Sequence, residues 1–247
     1  MVSIYDMTEF VLYLNSIQTE EVMYEFSKLY KKTTGYINFI IPSDDYTFST
    51  RTLSFVSSQP EAHDKVFNRN MRLEDCKNST YFESVERYSL LPDDFYIDNN
   101  CSQNPLSNLF GRICTVLSLC YVSSNVKISG KSMEGFVSGL KNYNFNYKLS
   151  DIKNNPNLYK IYSWIYSGGN LVDKVVIARN IICLHCQQRA LYELDSTTVA
   201  VMESNLRLYS IDNVMQYLEL KNKIGQFICD EVAKTGEYAH SILDKFK

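Results

Sequence analysis

The residues Tyr217, Leu220, Ile224, Ile228, Val232, Thr235, Ala239, Ile242 and Phe246 step forward by three or four positions at a time, and no proline follows Pro156. Apolar residues at that interval share one face of a helix. The last fifty or so residues are therefore expected to form one long amphipathic helix. Started near Thr198, it would run to roughly 75 Å at about 1.5 Å per residue, longer than a compact domain of this size is wide. A stripe that outruns its own domain needs a partner for the excess. Gly225 and Gly236 each cost such a helix about 1 kcal/mol relative to Ala, and a bend at either fits the pattern.

Composition sets the class of the remainder. A hydrophobic content of 45% with 21% charged residues is that of a globular chain, so a packed core is expected. Nine Gly and five Pro are few for 247 residues, which favours long regular elements over a turn-dense sandwich or a Gly-rich nucleotide cradle. A net charge of −3 gives no general attraction to phosphate backbones. The most basic stretch, Lys28, Lys31 and Lys32, falls at the end of a predicted helix, where cations complement the dipole. Seven cysteines at irregular spacing do not make a disulfide framework and point to a reducing compartment. Met1 to Ser16 lacks a basic leader and carries Asp6 and Glu9, and no apolar run approaches the ~20 residues of a bilayer span.

Along the chain, Phe10, Val11 and Leu14, then Val22, Phe26, Leu29 and Tyr30, predict two short helices ended by Gly35. Tyr36 to Ile41 reads as a strand, followed by the turn residues Ser43, Asp44 and Asp45, with Phe48 to Val56 as its natural antiparallel partner. Ser57 to Asn104 is polar and poorly periodic, and Asp64 to Asp75 is its one helical piece. Asn104-Pro105 and Asn155-Pro156 are helix starts, Asn as cap and Pro at the first position. Leu106, Leu109, Phe110, Ile113, Val116, Leu117 and Cys120 follow the first. Val126 to Ser129 is a short strand and Gly130 to Ser132 a turn. Tyr143, Phe145, Tyr147 and Leu149 alternate with Asn144, Asn146 and Lys148, the clearest strand in the chain. Gly168-Gly169 ends the second helix and Asn170 with Asp173 caps the next. That helix, Leu171 to about Leu184, is apolar on nearly every side and is expected to be central and buried. The fold class is α+β: a small, mostly antiparallel sheet with packed helices and a long C-terminal amphipathic helix. Its domains are expected at 1–150 and 151–247.

Chemistry is sparse. Cys183-Leu184-His185-Cys186 supplies two thiols at the spacing of zinc and redox sites, with His185 as a third ligand. A second ligand pair is missing, and the motif closes an apolar helix rather than opening one, so buried core cysteines are expected there. His63 and His240 have no Ser, Cys or Asp partner at a recognised spacing, and GxSxG, HExxH and phosphate loops are absent. Glu20-Glu21, Asp44-Asp45 and Asp93-Asp94 fit turns and helix starts. The aromatic strand at Tyr143 to Tyr147 could stack bases but lacks a basic groove. No catalytic residue and no cofactor is assigned. A divergent metal-dependent nuclease acting on nucleic acid, with its acids in Ser57 to Asn104, is the alternative reading.

Tyr162-Ser163-Trp164-Ile165-Tyr166-Ser167-Gly168-Gly169-Asn170-Leu171-Val172-Asp173-Lys174, with Ala178 to Ile182 behind it and Asn213 to Lys223 further on, resembles the cytoplasmic part of uncharacterised bacterial membrane-attached proteins. Some of these are associated with phage defence. The resemblance covers roughly the C-terminal third. It implies a long helix leading into membrane segments beyond Phe246-Lys247, so membrane attachment is implied only if the natural chain continues. Together the two readings give a cytoplasmic, non-enzymatic sensor or interaction module, at the inner face of a membrane where such a segment follows. Its partner would be a protein or a second copy, met through Tyr217, Leu220, Ile224, Ile228, Val232, Ile242 and Phe246.

Overall fold

Asp6 starts the first helix, its carboxylate accepting from the backbone N–H groups of Thr8 and Glu9 at 2.8 and 3.0 Å. The computed structural model describes residues 2–32, 36–42, 47–58, 67–97, 104–187 and 189–244, leaving aside the side chains of residues 213, 214, 229, 233 and 237–244. The expected turn at Ser43 to Asp45, the helix stop at Gly35 and His63 lie outside the described residues. The chain divides into two compact units, Met1–Met202 and Glu203–Lys247.

The first unit holds two four-stranded sheets. Strand β1 (Val2–Ser3) precedes helices α1 (Met7–Ser16) and α2 (Thr19–Tyr30), and β2 (Ile37–Ile40), β3 (Phe48–Ser49) and β4 (Leu53–Val56) follow. Their order in the sheet is β1-β2-β4-β3, with β1, β2 and β4 parallel and β3 antiparallel to β4. The segment 48–56 is thus a tight β3–β4 hairpin, and only β4 reaches β2. It does so in parallel, with Phe39 opposite Phe55, where an antiparallel pairing was expected. The alternation of apolar residues marks a strand without fixing its direction.

Helix α3 (Arg69–Ser79) and strand β5 (Tyr81–Phe82) lead to a single 3₁₀ turn at Pro92–Asp94, then to α4 (Ser107–Val122). The second sheet is β5-β6-β7-β8, a meander of β6 (Asn125–Ser129), β7 (Ser132–Val137) and β8 (Tyr143–Lys148) with β5 parallel to β6. Gly130 takes the tight β6–β7 turn at φ +57°, a region side chains disfavour. Helices α5 (Pro156–Tyr166), α6 (Leu171–His185) and α7 (Ser196–Asp244) complete the chain. The class is α+β, as the sequence predicts, with two small mixed sheets in place of one.

Helix α4 is the central element. From Leu109 to Val122 every residue but Gly111 and Arg112 is buried. Phe26, Phe39, Phe48, Phe55, Phe95 and Phe110 form a continuous aromatic core, with Phe39 and Phe55 stacked at 4.5 Å and Phe26, Phe95 and Phe110 edge to face at 5.2–5.6 Å. The caps at Asn155 and Asn170 form where expected, whereas α4 starts only at Ser107, and Asn104 accepts from Leu106 N at 2.9 Å in the turn ahead of it. The side chain of Asn155 accepts from Asn157 N at 3.0 Å, and that of Asn170 from Asp173 N at 3.4 Å. Lys174 donates to Trp164 O and Gly168 O at 2.9 and 2.7 Å, satisfying carbonyls that the end of α5 leaves open.

Helix α6 departs from expectation. Ala178, Ile181, Ile182 and Cys183 are buried, but Val172, Val176 and Leu184 are 70%, 53% and 63% exposed. Its apolar residues go all round, yet it packs on one side only, chiefly against α5 and the core. Arg179 ties that side down, donating to Ser79 O, Ser123 O and Val122 O, the carbonyls that end α3 and α4.

Candidate functional site

Helix α7 is a single run of 49 residues, about 73 Å at 1.5 Å per residue. Asp195 holds its start, accepting from Thr197 N at 3.1 Å. Of the predicted stripe, Tyr217, Leu220, Ile224, Ile228 and Val232 are all exposed, by 52–67%. Ile242 belongs to α7, but its side chain falls outside the described ones, as does His240, and Phe246 lies outside the described residues. No helix among the described residues is long and apolar enough to cross a membrane.

The stripe is half of a larger pattern. Leu208, Ile211, Met215 and Leu218 are also exposed, by 45–62%, and they step by three, four and three. Tyr217, Leu220, Ile224 and Phe227 repeat that spacing nine residues later. Nine residues are about two and a half turns at 3.6 residues per turn, so the second quartet lies on the opposite face from the first. The stripe expected from the sequence takes in Tyr217, Leu220 and Ile224 of the second quartet and continues through Ile228 and Val232; it omits Phe227, and it omits the first quartet because that runs half a turn out of phase.

The Cys183-His185-Cys186 motif is knitted into the fold. Cys183 donates its thiol hydrogen to Val137 O at 3.3 Å, and Cys186 is 4% exposed. Burial raises both thiols, Cys186 to about 12, which leaves them protonated and poor as nucleophiles or ligands. His185 Nδ1 meets Thr198 Oγ1 at 3.4 Å. Among the described residues no three His, Cys, Asp or Glu side chains are placed to hold one metal ion.

The acids Asp93 and Asp94, which read as turn residues, sit at the centre of a buried polar network. Asp94 is fully buried and accepts from Arg69 Nε and Nη2 at 2.9 and 2.7 Å, Thr52 Oγ1 at 2.8 Å and Leu91 N at 2.8 Å. The Arg69 guanidinium lies 3.8 Å from the centroid of the Tyr30 ring, and Tyr30 shares a hydrogen bond of 2.5 Å with Thr52. Asp93 accepts from the hydroxyls of Tyr159 and Tyr162 at 2.9 and 2.7 Å, with Arg51 at 3.4 Å. Burial and the neighbouring carboxylate hold both phenols well above their ordinary pKa. Both carboxylates are thus taken up by protein donors, an arrangement that joins β4, α3 and α5 across the core. The remaining pair singled out, Glu20-Glu21, serves α2: Glu21 accepts from Gln18 N at 3.3 Å, and Glu20 from Tyr88 OH at 2.6 Å.

Strand β8 places Phe145 and Leu149 in the core, with Tyr143 and Tyr147 half-buried and joined through their hydroxyls at 2.9 Å. Tyr147 stacks on Phe145 at 5.1 Å and meets the ring of Tyr192 edge on at 4.8 Å. Packing occupies this face, so it presents no free stacking platform. No family model, curated protein or solved structure matches the chain.

Proposed function

We propose that the protein is a non-enzymatic interaction module whose coupling element is α7, a helix that takes partner helices on two opposite faces. The observation that carries this is the pair of exposed apolar quartets, Leu208-Ile211-Met215-Leu218 and Tyr217-Leu220-Ile224-Phe227. Isolated helices draw little stability from propensity alone and gain most of it from packing an apolar face. A helix carrying two such faces is stabilised by whatever covers them. The partner favoured here is a second copy of the chain, because the two quartets share one spacing and each consists of large apolar residues.

Sedimentation of the purified chain tests this. Association is expected to grow with concentration and to weaken on Ile211→Glu with Met215→Glu, and again on Leu220→Glu with Ile224→Glu. A monomer at every concentration, unaffected by either pair, would sink the reading. Metal-dependent cleavage of DNA or RNA by the purified protein would overturn its non-enzymatic part. The resemblance of the C-terminal third to defence-associated, membrane-attached proteins supports a setting in bacterial antiviral defence on the cytoplasmic face of a membrane. Unchanged phage plating after deletion of the gene would count against that setting.

A further inference from the structure

Independently of α7, the first unit contains a cavity of about 650 Å³ between the start of α2, α4 and the β6–β7 and β8 ends of the second sheet. Small-molecule sites commonly fall at about 300–1,000 Å³. Three cations line it: Arg112 from α4, Lys131 from the β6–β7 turn and Lys148 from the end of β8. The sheet sets the two lysines at diagonal positions on neighbouring strands, since Ser132 pairs with Lys148 and Leu149 N donates to Lys131 O at 2.8 Å. None of the three forms an ion pair among the described residues. Arg112 Nε is buried without a hydrogen-bond partner among the described residues, so the guanidinium is not tied up through that nitrogen.

The opposing charge is accounted for. Glu20 is the one carboxylate in the lining among the described residues, and its Oε1 takes the Tyr88 hydroxyl at 2.6 Å and Arg87 Nη2 at 3.3 Å. Three cations without an ion pair among the described residues thus line one cavity in a protein whose net charge is −3. Ile17 and Leu149 give the cavity an apolar side, while Gln18 and Ser132 supply hydrogen-bonding groups. Among the described residues no aromatic ring lines it to stack on a nucleobase.

We propose that this cavity binds a small phosphate ester, its phosphate between Arg112, Lys131 and Lys148 and its hydroxylated part against Gln18 and Ser132. Guanidinium groups donate paired hydrogen bonds to phosphate oxygens, and the ammonium groups add charge without fixed direction. A base-bearing ligand is disfavoured by the missing stack, and a long nucleic acid by the acidic balance of the whole chain.

Isothermal titration with inorganic phosphate, pyrophosphate and ribose 5-phosphate tests this on the full chain, with sodium chloride at matched ionic strength as control. Saturable one-site binding is expected, strongest for the sugar phosphate and weaker as salt rises. Lys131→Ser with Lys148→Ser, both exposed positions, should weaken binding by about tenfold or more, and Arg112→Gln by a similar factor. No saturable heat from any probe at millimolar concentration overturns the proposal. So does undiminished binding in the lysine double variant, or binding of a single-stranded oligonucleotide alone. None of these outcomes bears on association through α7.

Discussion

Replacing Asp94 by Asn keeps the shape of a fully buried side chain and removes its charge. Each carboxylate oxygen of Asp94 faces two donors: Oδ1 meets Arg69 Nε and Thr52 Oγ1, and Oδ2 meets Arg69 Nη2 and Leu91 N. An amide nitrogen at either position therefore confronts a guanidinium N–H. Thr52 can turn its hydroxyl to accept, but Arg69 and Leu91 cannot. Arg69 is only 7% exposed and would keep its charge without a counter-ion. Removing one partner of such a pair costs about 3–5 kcal/mol. At roughly 2–4 °C per kcal/mol for a chain of this size, the melting temperature should fall by about 6–20 °C.

Urea unfolding followed by far-ultraviolet circular dichroism and by the fluorescence of the single tryptophan, Trp164, measures the change. Arg69→Met with Asp94→Leu is the informative companion, because removing both charges should recover most of the loss. A single variant within about 1 kcal/mol of the parent, or a double variant as unstable as the single, would refute the assignment of this pair as the buried polar tie of the fold.

Four further outcomes follow from the packing of the chain. Gly135→Ala drives a Cβ into the backbone oxygen of Asn125, so the β6–β7 strands must part, and a loss of about 1–3 kcal/mol, read as a lower urea midpoint, is expected; an unchanged midpoint contradicts that close approach. Gly225→Ala meets nothing within 4 Å and should gain α7 about 1 kcal/mol; a fall in helical ellipticity would argue against an open helix there. Cys76, Cys114, Cys120, Cys183 and Cys186 are free and buried, so no more than two of the seven cysteines should react with a thiol reagent before unfolding. Burial holds the phenols of Tyr30, Tyr121 and Tyr162 and the thiols of Cys114 and Cys120 above their ordinary pKa. The folded chain then keeps protons the unfolded chain releases, so stability is full below about pH 8 and falls as pH climbs past the ordinary thiol and phenol values of about 8.5 and 10. A urea midpoint that is flat or rises above pH 9 would falsify this.

What could be read from the sequence was local. The Asn155-Pro156 and Asn170-Asp173 starts, the alternation of β8 and the periodicity of α2 each depend on neighbours a few residues apart, and each appears as expected. What escaped was long-range. Asp94 and its partner Arg69 are 25 residues apart, and Asp93 is 66 and 69 residues from the tyrosines that bind it, so the pair looked like turn chemistry. Helix α3 gave a weak signal because only Arg69 and Cys76 of its residues are buried. The apolar composition of α6 suggested enclosure, whereas α4, with its Thr115, Ser118 and cysteines, takes the centre. Buried hydroxyls there bond back to their own helix, as Ser118 Oγ does to Cys114 O at 2.7 Å, and so pass as core. Arg112, Lys131 and Lys148 carry no motif and meet only because the β6–β7 turn and the end of β8 reach the same cavity as α4.

The two faces of α7 bear on how firmly such a helix can hold a partner. Each quartet side chain is already about half covered by the helix itself. Finishing its burial then yields about 1–1.5 kcal/mol, or roughly 4–6 kcal/mol per quartet. A seam between two copies buries a quartet on each helix, so it yields about 8–12 kcal/mol. Association costs about 4–15 kcal/mol before any contact is made. One seam therefore lies within the range of that cost, and pairing along it alone would be modest. Covering the opposed face as well adds about 8–12 kcal/mol again. Because the faces are opposed, no single straight helix covers both, so the second contribution would come from a second partner helix. Under the proposed coupling role, α7 would then hold two partners more firmly than one, a property that a continuous one-sided stripe would not provide.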